Sequence, residues 1–73
     1  MQVMMRTKRE KTISQWKEIL EKYINRANRS MECFRRFEEV NDLEHLIEDC
    51  EKVIENAKQA KKAIEFMDYI GIN

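Results

Sequence analysis

The chain has 73 residues, of which 42% are hydrophobic and 38% charged, with one glycine and no proline. This composition is typical of one small domain built from long helices, and it excludes a fold rich in strands or irregular structure. The net charge is zero, but residues 1 to 40 carry +4 and residues 41 to 73 carry −4. Two helices drawn from these halves would attract each other.

The first residues, MQVMMRTKREK, place a short apolar stretch before the charges. A secretory signal peptide has the reverse order and a longer apolar region. No run approaches the ~18 apolar residues of a membrane span. The two cysteines are too few for a secreted disulfide scaffold. We therefore expect a cytoplasmic protein with no membrane partner.

The first predicted element is a helix of about residues 12–39, which follows an N-terminal tail of residues 1–11. Its apolar or small residues alternate by three and four, as in a coiled coil. They are Ile13, Trp16, Leu20, Tyr23, Ala27, Ser30, Phe34 and Phe37. Thr7 and Thr12 both begin capping-box patterns. We place the N-cap at Thr12, because an earlier start would put basic residues at the positive end of the helix dipole.

The second predicted element is a helix of about residues 42–70. Its apolar or small residues show the same alternation. They are Leu43, Leu46, Cys50, Val53, Ala57, Ala60, Ile64 and Met67. Gly71 follows the last helical residue and predicts the C-terminal stop.

Between the two stripes we predict a turn at about residues 40–41. One continuous helix in a long parallel coiled coil is the alternative, but it would require a register slip that neither coiled-coil discontinuity absorbs. Asn41, followed by Glu44 three residues later, resembles an N-cap with its reciprocal partner. The sequence therefore predicts a single all-α domain, residues 1–73, folded as an antiparallel helical hairpin with a coiled-coil-like seam.

Further apolar residues lie beside the two seams, and a lone hairpin would leave them exposed. They are Ile24, Met31, Ile47 and Ile54. A lone hairpin also orders more residues than its buried area can support. We expect a second copy to cover this surface and form a dimeric four-helix bundle, although a different protein could take that place. In length, heptads and hairpin the chain resembles the plasmid repressor-of-primer family, and the resemblance implies a dimeric bundle that binds paired RNA loops.

One group of side chains contains the ligand types of zinc and the members of a thiol nucleophile site. It consists of Cys33, His45, Asp49 and Cys50. Its spacing, C-x11-H-x4-C, matches no compact zinc pattern. Two helices without loops also supply no oxyanion hole. We expect two buried small thiols and a surface histidine, with no metal, no cofactor and no catalytic residues. Whether the thiols pair stays open.

Two surface features predict binding. Basic residues follow one flank of the first helix, at Lys22, Arg26, Arg29, Arg35 and Arg36. A solvated face with ion pairs along the helix is the alternative. Phe66 and Tyr69 occupy outward positions near the end of the second helix, where exposed aromatic rings mark a contact. They could instead pack against the apolar residues 3–5.

We therefore predict a small non-enzymatic protein-binding or regulatory module, a homodimer that recognises a protein with an acidic surface. The first alternative is an RNA-binding regulator that uses the basic flank. The second is a small phage or mobile-element inhibitor of a larger host protein. We favour the protein partner, because the basic flank is short, has no interleaved aromatic residue and lies beside glutamates.

Overall fold

The computed structural model describes residues 7–71. Two helices, α1 (Lys8–Phe37) and α2 (Val40–Ile70), pack against each other along their lengths. Contacts between the start of α1 and the end of α2 show that the helices are antiparallel. The predicted all-α helical hairpin is therefore confirmed.

α1 begins earlier than the sequence predicted, directly after Thr7. The Thr7 side chain accepts a hydrogen bond from the backbone N–H of Glu10 at 3.1 Å, so Thr7 is the N-cap and the assignment of Thr12 was wrong. That assignment rested on the cost of basic residues near the positive helix end. Arg9 offsets this cost through an ion pair with Asp68 on α2. The predicted tail of residues 1–11 therefore contributes its last residues to α1, and residues 1–6 lie outside the description.

The turn consists of Glu38 and Glu39, two residues earlier than the predicted turn at 40–41. Glu38 adopts the left-handed conformation, with φ 52° and ψ 37°. Its backbone N–H donates to the carbonyl of Phe34 at 2.8 Å and closes the end of α1. Glu39 is extended and leads directly into α2. Because the turn is this short, its conformation sets the angle at which α2 starts.

The two ends of α2 differ in how well the sequence predicted them. Its N-cap is Glu39, whose side chain makes no capping hydrogen bond. Asn41 lies inside the first turn of the helix, so its assignment as the N-cap was wrong. Gly71 ends the helix as predicted, with φ 73°. Its N–H donates to the carbonyls of Met67 and Asp68, which is the usual way to satisfy the last carbonyls of a helix.

The buried stripe of α1 follows the predicted one. Its half-buried members are Ile13, Trp16, Leu20, Tyr23, Ala27, Ser30 and Phe34. The exception is Phe37, which is 58% exposed because α1 ends there and the chain turns away.

The buried stripe of α2 is rotated relative to the predicted one. Its buried or half-buried residues are Asp42, Leu43, Leu46, Asp49, Val53, Asn56, Ala60, Ala63, Ile64 and Met67. Six of these ten were predicted, and the other four (42, 49, 56 and 63) each precede a predicted residue by one position. Cys50 and Ala57 are exposed, so their assignment to the seam was wrong. On a helical wheel the centre of the buried side shifts by roughly 40°.

The hairpin is one layer of helices, and its Cα atoms span 9 Å along the thinnest axis. Ala60, at 6% exposure, is the one fully buried residue in the described part of the chain. All other side chains of the seam keep one edge in solvent. A single layer has no second face to cover them.

Candidate interaction surfaces

Polar groups lie inside the seam between the helices. Ser30 Oγ donates a hydrogen bond of 2.8 Å to Asp49 Oδ2, and the contact is partly buried. Oδ2 of Asp42 is buried without a hydrogen-bond partner. The rotation of α2 thus places two carboxyl side chains, Asp42 and Asp49, on the side that faces α1. The Ser30–Asp49 contact joins residues whose numbers add to 79, close to the 77 given by a turn at residues 38 and 39.

An ion pair joins the open end of the hairpin. Arg9 Nε donates to Asp68 Oδ1 at 2.6 Å, and a second guanidinium nitrogen lies 3.4 Å from Oδ2. The hydrogen bond from Arg9 lowers the pKa of Asp68 below its ordinary value, and the same contact raises the pKa of Arg9. Both side chains are partly exposed, so the pair orients the helix ends more than it stabilises them.

The rotation turns the most apolar stripe of α2 toward solvent. We call this stripe the α2 apolar face. It consists of Leu43, Ile47, Cys50, Ile54 and Ala57. Ile47 is 56% exposed and Ile54 is 54% exposed, whereas Leu43 is half-buried. Its members alternate by four and three residues, so they form a continuous strip along one side of the helix.

The four predicted dimer residues belong to this side of the hairpin. Ile24 on α1 is 44% exposed and Met31 is half-buried. Both lie one position after a seam residue, as Ile47 and Ile54 do on α2, and such positions share one flank of an antiparallel pair. The hairpin therefore presents a two-helix apolar surface, while the dimer itself stays a prediction.

The accessible surface of the chain is large for its mass. It measures 6348 Å². A compact monomer of 8.9 kDa would expose roughly 4,800 Å². The excess of about 1,500 Å² exceeds the ~800 Å² that each partner buries in a typical stable interface. The hairpin thus has enough uncovered surface for a partner.

The predicted basic flank is exposed along its whole length. Its residues are Lys22, Arg26, Arg29, Arg35 and Arg36. Lys22 Nζ lies 6.0 Å and Arg26 Cζ 5.6 Å from the ring centre of Tyr23, so two cations lie over one ring. Arg35 pairs with Glu32 at 3.1 Å. Within residues 7–71, Arg29 and Arg36 form no ion pair, and their guanidinium groups face solvent.

Tyr23 is a functional candidate that the sequence reasoning missed. We assigned it to the seam alone and described the basic flank as lacking an interleaved aromatic residue. The ring is half-buried, and the two cations lie over it. The available signal was Arg26 three residues later, since side chains three and four residues apart share a helix face.

The aromatic residues near the end of α2 are exposed, as predicted. Phe66 is 62% exposed and Tyr69 is 89% exposed. Their alternative packing partners, residues 3–5, lie outside the described residues. Ile70, at 45% exposure, extends the same end of the helix.

The predicted cysteine and histidine group is dispersed. Cys33 and Cys50 are free and exposed, so the expectation of buried thiols was wrong. His45 is exposed as expected, and Asp49 binds Ser30. Across residues 7–71, no three His, Cys, Asp or Glu side chains are placed to hold a metal ion.

Comparison with known proteins adds no relative: no protein-family model, curated protein or solved structure matches the chain. The resemblance to the repressor-of-primer family therefore rests on length, heptads and hairpin alone. Neither α1 nor α2, as described, is long and apolar enough to cross a membrane.

Proposed function

We propose that the chain is a small non-enzymatic protein-binding module that works as a homodimer. Two hairpins would cover each other's apolar surfaces and form an antiparallel four-helix bundle with coiled-coil-like packing. The observation that carries this proposal is the exposure of Ile24, Ile47 and Ile54 on one side of a single-layer hairpin. The excess surface of about 1,500 Å² supports it, because it exceeds the ~800 Å² that each partner buries in a typical stable interface.

In such a dimer the basic flank and the aromatic end of α2 remain free for another molecule. Arg29 and Arg36 offer unpaired guanidinium groups, which bind carboxylates through paired hydrogen bonds. Phe66 and Tyr69 supply exposed rings of the type that anchors interfaces. A protein with an acidic surface and an apolar pocket fits both features. An inhibitor of a larger protein would use the same surface. The two free thiols fit a reducing, cytoplasmic location.

RNA is the second candidate, and the arrangement around Tyr23 bears on it. An RNA-binding surface stacks bases on exposed rings. Here Lys22 and Arg26 lie over the ring of Tyr23, where a base would have to displace them. Glu32 also neutralises Arg35 on the same flank. We therefore rank the protein partner first.

The dimer is tested by sedimentation equilibrium at micromolar concentrations. We expect the wild-type chain to be a dimer and Ile54→Glu to shift it to monomer, because a charge would lie in the apolar contact. Ile19→Glu is the control, since Ile19 is 37% exposed but lies on the opposite flank of α1. A stably folded wild-type monomer at these concentrations would reject the dimer.

The binding surface is tested with Arg29→Glu combined with Arg36→Glu, measured by pull-down from source cells with and without nuclease. The pair should abolish partner binding while helicity and dimer remain intact. Lys17→Glu with Lys52→Glu is the control, because these exposed lysines lie outside the basic flank. Binding that disappears with nuclease, with a logarithmic salt slope of about −3 to −4 per chain, would instead establish RNA as the target.

A further inference from the structure

The exposed side of α2 changes its charge along the helix. Its N-terminal half carries Glu44, Glu48, Glu51 and Glu55, and its C-terminal half carries Lys58, Lys61, Lys62 and Glu65; all eight side chains are exposed, and Lys61 pairs with Glu65 at 3.7 Å. Glu44, Glu51 and Lys58 each follow a member of the α2 apolar face by one residue. The apolar strip is thus bordered by acidic groups at one end and by basic groups at the other.

We propose that in the dimer each α2 packs antiparallel against the α2 of the second copy, with the two-fold axis passing close to residues 50–52. This inference rests on the proposed homodimer and specifies its topology. The ends of the α2 apolar face are symmetric about Cys50, since Leu43 and Ala57 are each seven residues away, and Ile47 and Ile54 are three and four residues away. Antiparallel pairing brings a large Leu43 close to a small Ala57 of the second copy, and such alternation of sizes favours close packing.

Charge complementarity selects the direction of the pairing. In the antiparallel arrangement Glu44 of one copy lies near Lys58 of the other, and symmetry makes this contact twice. In a parallel arrangement Glu44 would face Glu44 of the other copy and Lys58 would face Lys58, and such contacts between like charges are unfavourable. The antiparallel arrangement therefore both covers the apolar strip and pairs its charged borders.

The other symmetric arrangement places α1 of one copy over α2 of the other. On that side α1 offers Ile24 and Met31, whereas the α2 apolar face has five members. Pairing α1 with α2 would leave part of the longer strip exposed. Pairing α2 with α2 would bury the α2 apolar faces of the two copies against each other, and Ile24 and Met31 would cover the side of this contact next to α1.

Cross-linking tests the topology in a chain whose natural cysteines are replaced by alanine. Glu44→Cys and Lys58→Cys are made separately, and the two proteins are unfolded, mixed and refolded. A short bis-maleimide cross-linker is then added, and each of its two maleimide rings reacts with one cysteine thiol. We expect cross-links between the two different chains. Two copies of Glu44→Cys should not cross-link, because an axis at residue 51 separates them by 14 residues, or ~21 Å.

Sedimentation on the same samples separates the outcomes. A dimer in which Glu44→Cys cross-links to itself would mean that the α2 helices are parallel, and a dimer without any cross-link would mean that they do not face each other; either overturns the topology and leaves the homodimer standing. A folded monomer would overturn both.

A charge swap provides a second readout without cysteines. Glu44→Lys should raise the dissociation constant of the dimer roughly tenfold, because two symmetric contacts become repulsive. Adding Lys58→Glu to the same chain should restore wild-type affinity. If the double variant is as weak as the single one, the two residues are not neighbours and the topology is wrong.

Discussion

The rotation of α2 is tested most directly by enlarging two alanines that lie three residues apart. Ala60 is 6% exposed in the seam, whereas Ala57 is exposed on the α2 apolar face. Sequence periodicity assigned both residues to the seam. Ala60→Leu adds three carbon atoms at the most closely packed position of the hairpin, and Ala57→Leu adds the same atoms outside the seam. The chemical change and helix propensity are matched, so the difference reports position alone.

We expect Ala60→Leu to lower the free energy of unfolding by about 1–3 kcal/mol, the usual cost of extra carbons in a packed core. The corresponding fall in melting temperature is ~5–20 °C for a chain of this size. Ala57→Leu should change the stability by less than about 0.5 kcal/mol, or raise it where the added carbons enlarge the dimer contact.

Urea unfolding followed by circular dichroism measures both values. All proteins must be compared at one concentration, because the stability of a dimer depends on concentration. The m-value should be unchanged, so that a shift in midpoint reports stability. If Ala57→Leu costs as much as Ala60→Leu, or more, α2 packs through the stripe that periodicity predicted and the rotation is wrong.

Three further changes test local features. Thr7→Ala should lower stability by about 1 kcal/mol through loss of the N-cap, while Thr12→Ala should have little effect; urea midpoints that rank them in the opposite order would return the helix start to Thr12. Glu38→Gly should raise stability by ~0.5–1 kcal/mol, because glycine adopts the left-handed conformation without strain; an unchanged or lower melting temperature would contradict this. Because its ion pair lowers the pKa of Asp68, the carboxylate contributes stability above the ordinary carboxyl pKa and loses it as pH falls through the lowered one. Asp68→Asn should therefore melt below wild type at pH 7 and equal it in strong acid; a difference that persists in acid would exclude this carboxylate as the cause.

Much of the fold was predictable because its signals are local. The stripe of α1 follows a single heptad pattern, with no second pattern to compete with it. Gly71 adopts the left-handed conformation, which glycine takes more readily than other residue types. The start of α1 was missed because Arg9 finds its partner on the other helix. No pattern within the first residues contains that information.

The phase of α2 could not be read from periodicity. Two stripes of α2 share the residues Leu46, Val53, Ala60 and Met67. The first stripe is completed by Leu43, Cys50, Ala57 and Ile64, and the second by Asp42, Asp49, Asn56 and Ala63. Periodicity favours the apolar set. The buried side of α2 shifts toward the second stripe, while Leu43 and Ile64 of the first stripe stay half-buried, because the turn at Glu38 and Glu39 sets the phase at which α2 begins and Ser30 binds Asp49 across the seam. Exposure of Ile47 and Ile54 was predictable from either stripe, but exposure of Cys50 was not.

The composition of the seam indicates how folding and assembly are coupled. Asp42 leaves a buried oxygen without a hydrogen bond, which costs about 1–3 kcal/mol, and Asn56 donates to the carbonyl of Lys52 in its own helix and not across the seam. The seam therefore holds polar groups beside apolar residues such as Trp16 and Leu46, while the α2 apolar face lies largely outside it. An isolated hairpin of this kind is weakly stable, because the strip that would repay the ordering of two long helices is still in water. In the proposed dimer, covering that strip would add apolar burial to that of the seam, and the contact between copies would supply part of the free energy that keeps each hairpin folded.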